Sequence, residues 1–163
     1  KKVTFLTTTE LECLTAKGKY VADGKAKIDN KTGWFEVTTK VSTLKLILHT
    51  TVRCPKRSVS GLSPRALIEW YRFYACCLAH EGEHLIKAKK ECEKIAKELD
   101  KLKGTGLAET EAEALKLAQE DLMRVINIHI FDDRNRLNEV HRKFDHSSHH
   151  GEKKGALLDT SVG

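Results

Sequence analysis

Proline, aromatic residues and long apolar runs are all scarce in this chain of 163 residues. It contains two prolines, two tryptophans, three tyrosines and five phenylalanines. No apolar run approaches the roughly 18 residues that a membrane-spanning helix needs, so the sequence predicts no membrane span. Charged residues make up 32% and apolar residues 40% of the chain. These proportions are typical of a globular protein, and we expect a single domain over residues 1–163.

The five cysteines form no Cys-x-x-Cys pair, which disfavours a thiolate zinc ribbon or a dithiol redox motif. They are Cys13, Cys54, Cys76, Cys77 and Cys92. Two disulfides and one free thiol would suit an exported protein, whereas five buried thiols would suit a cytosolic one. The count leaves the compartment and any pairing open.

The net charge of +6 does not indicate a nucleic-acid site. Between residues 87 and 103 the lysines alternate with glutamates and aspartate, and this pattern is typical of a solvated helical face. Because the few aromatic residues do not line a basic strip, we expect no nucleic-acid partner.

The first 60 residues are rich in threonine, valine and isoleucine, and they predict an antiparallel sheet. The predicted strands lie near residues 3–7, 19–21, 34–41 and 44–52. A turn is expected at residues 22–24, and the short link Ser42-Thr43 predicts a hairpin between the last two strands.

Residues 61–145 predict a long helical hairpin. Ser63 and Pro64 form a typical helix start, and apolar residues then recur at spacings of three and four up to about residue 103. A second helical pattern covers about residues 109–144, and Gly104-Thr105-Gly106 is the expected turn. Residues 146–163 are expected to form a loop-like tail. The predicted fold is therefore α+β, an N-terminal antiparallel sheet packed on a two-helix hairpin.

The first helix carries the string His80-Glu81-Gly82-Glu83-His84, which has the form His-Glu-x-x-His. Residues four apart lie on the same face of a helix, so both imidazoles can reach one metal ion. Glu81 is rotated by about 100° from His80, where its carboxylate can act on a water molecule as a general base. The pattern indicates a zincin-like zinc site that needs a third ligand from elsewhere.

Spacing alone leaves that third ligand open. If the hairpin turn were centred near residue 105, position 82 would face a position near 128, which favours His129 or Asp133. A tail that folds back could instead bring His150 to the level of His80. The end of the chain offers further candidates: His141, Asp145, His146 and His149.

The order of these features resembles a bacterial family of predicted secreted zinc-dependent proteases, catalogued as a domain of unknown function. That family has a strand ending at proline, a Trp-containing helix leading into His-Glu-x-x-His, an aromatic-Asp pair, Thr-x-His-Gly and Gly-Ala. The corresponding residues are Leu48 to Pro55, Trp70 to Phe73, His80 to His84, Phe144-Asp145, Ser148 to Gly151 and Gly155-Ala156. Phe144 stands where tyrosine is usual, so a hydroxyl is absent there, and Ser148 stands where threonine is usual.

The resemblance implies zinc, peptide-bond hydrolysis and a secreted or periplasmic location. It makes His150 the first choice as third ligand beside His80 and His84. Asp145 is the second choice, as a ligand or as a partner that orients an imidazole, and His129 and His149 follow. The expected function is a zinc metallopeptidase with Glu81 as general base and a peptide or protein as substrate. The alternatives are a non-catalytic zinc-binding protein and a zinc amidase acting on a cell-wall or other non-protein amide.

Overall fold

A computed structural model describes residues 5–21, 26–56 and 59–162 of the chain. The described elements are four strands, β1 (Leu6–Tyr20), β2 (Lys27–Ile28), β3 (Phe35–Arg53) and β4 (Lys103–Ala108), and two helices, α1 (Pro64–Leu99) and α2 (Glu111–Ser148). Two short 3₁₀ turns follow, at Glu152–Lys154 and Thr160–Val162. The α+β prediction is confirmed. The start of the first predicted strand, residues 3–4, and the predicted turn at residues 22–24 lie outside the described residues.

The sheet is organised around β3, which pairs with β1, β2 and β4. The β2 and β4 pairings are antiparallel, with Lys27 opposite Glu36 and Lys103 opposite Lys40. Contacts between β1 and β3 run in opposite directions along the two strands. They include Val21 N donating to Thr38 O and Ser42 Oγ donating to Lys17 O.

The predicted hairpin at Ser42-Thr43 is wrong, because β3 continues through both residues without a turn. A two-residue hairpin needs residues that adopt positive φ, such as Asn-Gly. Among the described residues, positive φ occurs outside β3. Serine and threonine accept the extended conformation, so the strand runs on beside the 15 residues of β1.

The predicted turn at Gly104–Gly106 is also wrong, because these residues belong to β4. A Cβ on Gly104 would lie 2.2 Å from the carbonyl oxygen of Ala118, and one on Gly106 would lie 2.0 Å from that of Ala114. The glycines therefore allow the backbone of β4 to lie directly against α2.

A side-chain cap marks the start of each helix. Ser63 Oγ accepts from Ala66 N at the start of α1, and Thr110 Oγ1 accepts from Glu113 N at the start of α2. The first helix ends at Leu99, four residues before the predicted end, and α2 continues to Ser148, four residues beyond it. Asp145 is therefore helical, and the predicted tail begins only at His149.

The chain divides into two compact units. The first contains the segments up to Glu10, Thr50–Glu91 and from Arg136 onward; the second contains Leu11–His49 and Cys92–Asn135. In the first unit Trp70, Phe73 and Cys77 form a buried apolar cluster. In the second, Val37 packs with Ala108, Ala114 and Ala118. Neither α1 nor α2, as described here, has an apolar stretch long enough to cross a bilayer.

Candidate metal centre

His80 and His84 lie one turn apart on the buried face of α1, in the first unit. Their exposed fractions are 4% and 3%, and their ring centroids are 4.7 Å apart. Phe144 of α2 stacks on the His80 ring at 4.8 Å and meets the edge of the His84 ring at 4.8 Å. The aromatic residue in the Phe-Asp pair thus packs against both imidazoles and fixes their orientation.

Asp145 brings a carboxylate oxygen to the two imidazoles. Its Oδ1 lies 3.1 Å from Nε2 of His80 and 2.9 Å from Nε2 of His84, and the two Nε2 atoms are 3.2 Å apart. A tetrahedral zinc ion with ligand bonds of about 2.0–2.1 Å has ligand atoms about 3.3 Å from one another. Two imidazole nitrogens and a carboxylate oxygen are also a donor set that zinc accepts. His80, His84 and Asp145 therefore form a group that could hold a metal ion.

The polar contacts of the His80 ring are made through Nε2, on the side that faces His84 and Asp145. Its other nitrogen, Nδ1, is buried and has no hydrogen-bond partner among the described residues. Buried polar atoms are usually paired, so the Nε2 atom that faces His84 and Asp145 carries the polar interactions of this ring.

Glu81 is buried beside the three donor atoms without being one of them. Its exposed fraction is 5%, and the hydroxyl of Thr7 on β1 donates to its Oε2 at 2.5 Å. A charge-assisted hydrogen bond of this kind fixes the carboxylate in one position. The predicted general base therefore lies next to the candidate metal site.

His141 connects His84 to β1. Its Nδ1 lies 3.0 Å from Nδ1 of His84, and its Nε2 lies 2.9 Å from Oγ1 of Thr9. If Nε2 of His84 binds a metal through its lone pair, its Nδ1 carries the proton and donates to His141. Nε2 of His141 then donates to Thr9. Burial, and next the neighbouring His84, lower the pKa of His141, which agrees with a neutral ring.

Sequence reasoning named His141 only as one possible ligand and did not single out Thr7 or Thr9. A signal was present in the alternation of Thr7, Thr9 and Leu11, which are all buried on one face of β1. Two threonines on an inward face need hydrogen-bond partners, and Glu81 and His141 supply them.

The other histidines that were predicted as ligands lie outside the group of His80, His84 and Asp145. His150 has positive φ, and its side chain is 81% exposed, with Nδ1 3.6 Å from Oδ1 of Asp145. His149 is exposed in the same turn, and His129 is exposed in the second unit. The structure thus brings Asp145 into the donor group and leaves His150 at its edge. The role of His150 as a ligand stays a prediction.

In the first unit, the prediction of which α2 residues lie opposite which α1 residues is wrong. Arg136 Nε lies 2.5 Å from Glu91 Oε1, and Asp145 lies opposite His80 and His84. A tight turn at residue 105 would have placed Asp145 near the level of residue 65. The strand β4 and the segments around it occupy the connection instead, which shifts α2 along α1.

The tail is fastened to α1 next to the metal site. Arg72 donates to the carbonyl oxygens of Gly155 at 2.8 Å and Leu157 at 2.7 Å, and Glu69 accepts from Asp159 N at 2.8 Å. A Cβ on Gly151 would lie 3.0 Å from Cγ of His80, so the tail backbone lies directly against this ring.

A cavity of about 370 Å³ opens beside these groups. Its polar end contains Glu81, the three donor residues and Thr7, and His150 and Glu152 also line it. Cys77, in its wall, is a free thiol like the other four cysteines, all of which lie in the described part of the chain. Burial, more than any neighbouring charge, raises the pKa of Cys77 to about 11. The thiol is therefore neutral at ordinary pH.

Comparison with known proteins places the chain in a family. The family model described as "Bacterial protein of unknown function (DUF922)" matches residues 13–151, which include the His-Glu-x-x-His string and Asp145. No curated protein and no solved structure matches the chain. The family description assigns no activity. With its candidate His-His-Asp metal centre, this chain belongs to the bacterial family DUF922.

Proposed function

We propose that this chain is a zinc-dependent metallopeptidase. The observation that carries the proposal is the convergence of His80 Nε2, His84 Nε2 and Asp145 Oδ1 within 3.2 Å of one another. These residues would hold the ion, and His150 is a further candidate at the edge of the site. Three protein ligands leave one position of a tetrahedral ion open, as in catalytic zinc sites.

When bound, zinc supplies a Lewis acid that polarises a carbonyl group and lowers the pKa of water. Glu81 is the general base of the reaction. It accepts the proton of the attacking water and passes it to the leaving amine. The hydroxyl of Thr7 holds the Glu81 carboxylate in place. Phe144 has no hydroxyl and cannot donate to a developing oxyanion; its ring orients the two imidazoles instead.

A non-catalytic zinc protein and a zinc amidase acting on a cell-wall or other non-protein amide are the alternatives. A structural zinc site has four protein ligands and no need of a cavity. The cavity beside Glu81 and the donor set of three favour the enzyme. A secreted or periplasmic location belongs to the same proposal and is carried by the family resemblance alone.

Replacement of Glu81 with glutamine tests the mechanism. The Glu81→Gln variant should bind zinc as the unchanged protein does and lose peptide hydrolysis by about 10²- to 10⁴-fold, measured on quenched fluorescent peptide libraries. Glu83→Gln is the matched control, because Glu83 lies in the same string and is paired with Lys154. Full activity in zinc-loaded Glu81→Gln would contradict the proposal.

A further inference from the structure

The cavity has an apolar end whose position follows from the turns of α1. Phe73, Cys77 and Glu81 are four residues apart and therefore lie above one another on one face of the helix. All three line the cavity. At 1.5 Å per residue, Cys77 and Phe73 lie about 6 and 12 Å from Glu81 along the helix axis. The apolar wall thus begins one turn from the predicted general base.

This wall is part of one continuous apolar cluster in the first unit. Phe73 and Cys77 belong to it, each 7% exposed, and Phe5 and Ala156 pack against them. The Phe5 and Phe73 rings meet edge to face, with centroids 6.2 Å apart. Leu6, next to Phe5, lines the same cavity and is 46% exposed. Apolar residues from the start of the sheet, from α1 and from the tail therefore line the cavity.

We infer that the apolar end is a binding subsite for one large apolar side chain of a peptide substrate, next to the bond that is cleaved. The inference rests on the proposed function. A ligand cavity combines apolar walls with a few convergent polar groups, and here Glu81 and the three donor atoms are the polar groups. The volume of 370 Å³ is near the lower end for such cavities, so it suits one or two side chains.

The subsite selects by size and polarity. A leucine or phenylalanine side chain in this position leaves water for Phe5, Phe73 and Ala156, which favours its binding. A carboxylate there would lose its hydration without finding a partner in the apolar wall. We therefore expect peptides with leucine or phenylalanine at this position to bind at least about tenfold more tightly than those with glycine or aspartate.

The test uses the zinc-loaded full chain and acyl hydroxamates that carry a glycine, leucine, phenylalanine or aspartate side chain beside the zinc-binding group. Binding is measured by calorimetry, so no turnover is needed. The unchanged protein should prefer leucine and phenylalanine at least about tenfold over glycine. Ala156→Phe, which fills the apolar end, should abolish this preference. Leu157→Phe is the control, because Leu157 is adjacent and 63% exposed.

Leu6→Asp is a second variant on an exposed position of the wall, and it should also weaken leucine binding over glycine. Equal affinity of the unchanged protein for all four hydroxamates would overturn the subsite but leave the metal centre standing. Failure of even the glycine hydroxamate to bind would overturn the metal centre and the subsite together. Unchanged leucine preference in both folded variants would overturn the location of the subsite.

Discussion

Nδ1 of His84 lies 3.0 Å from Nδ1 of His141, whose other nitrogen lies 2.9 Å from the Thr9 hydroxyl. The buried face of β1 is thus connected to the candidate metal centre through an imidazole. The same face of β1 holds Glu81 through Thr7. One inward-facing pair of threonines therefore orients both a predicted metal ligand and the predicted general base.

Loss of His141 should weaken metal binding. In His141→Ala, His84 no longer has an acceptor for its Nδ1 proton, so we expect about 10- to 100-fold weaker zinc binding. A competition titration with a zinc-binding dye measures the change. His129→Ala removes an exposed histidine and should leave the affinity unchanged. Equal zinc affinity of His141→Ala and the unchanged protein would contradict this role.

Loss of the Thr7 hydroxyl should affect hydrolysis but not metal binding. Thr7→Val keeps the shape of the side chain and removes the donor to Glu81, which is not in the donor group. A hydrogen bond has a net contribution of about 0.5–1.5 kcal/mol, so the turnover rate should fall by up to about tenfold. The control is Thr8→Val, on the exposed face of the same strand. A fall in zinc affinity equal to that in turnover would count against a role through Glu81.

Sequence reasoning found the part of the site that lies within one helix. His80, Glu81 and His84 are fixed relative to one another by the helical repeat, and their spacing alone predicts a shared site. Asp145 could not be placed in this way, because its level beside α1 depends on the residues that form β4 and its flanking segments. Thr7 lies 74 residues before Glu81 and Thr9 lies 132 residues before His141, and only the folded sheet brings them near.

Replacement by alanine should have opposite effects on the stability of the protein at Gly82 and at Gly104. At Gly82, in the middle of α1, a Cβ would meet no described atom within 4 Å. Gly82→Ala should therefore stabilise the protein by up to about 1 kcal/mol. Gly104→Ala should destabilise it by about 1–3 kcal/mol or more, because its Cβ would lie 2.2 Å from Ala118 O. Urea unfolding measures both changes, and a stable Gly104→Ala would show that β4 does not lie so close to α2.

The hydrogen bonds that hold the tail on α1 should weaken in acid. Hydrogen bonds from Arg72, and next from the Asp159 amide, lower the pKa of Glu69 from 4.5 to about 2. Because the pKa is lowered in the folded state, ionised Glu69 stabilises the fold above about pH 4.5, and this contribution is lost as the pH falls towards 2.

The unfolding midpoint of Glu69→Gln should therefore fall below that of the unchanged protein near pH 6, and the difference should shrink between pH 4.5 and 2. Loss of any bound metal in acid affects both proteins and cancels in the comparison. A difference that stays constant or grows as the pH falls would exclude this role for Glu69.

The fold class could be predicted from the sequence, but the connections between its strands and helices could not. Apolar periodicity located both helices, the Ser63 cap marked the start of the first, and the threonine- and valine-rich start indicated the sheet. Ser42-Thr43 and Gly104–Gly106 were misinterpreted as turns, since short polar or glycine segments are typical of turns. In β3 the neighbouring strand β1 holds the segment extended. In β4 the glycines allow contact with α2, and no local sequence pattern distinguishes this use of glycine from a turn.

The zinc content of the purified protein tests the central claim most directly. After saturation with zinc and removal of the excess, elemental analysis should find a single ion per chain in the unchanged protein. His80→Ala and Asp145→Ala should retain little or none, whereas His150→Ala should retain the ion if Asp145 is the third ligand. An unchanged protein that retains no zinc, or a His80→Ala variant that retains as much as the unchanged protein, would contradict the account.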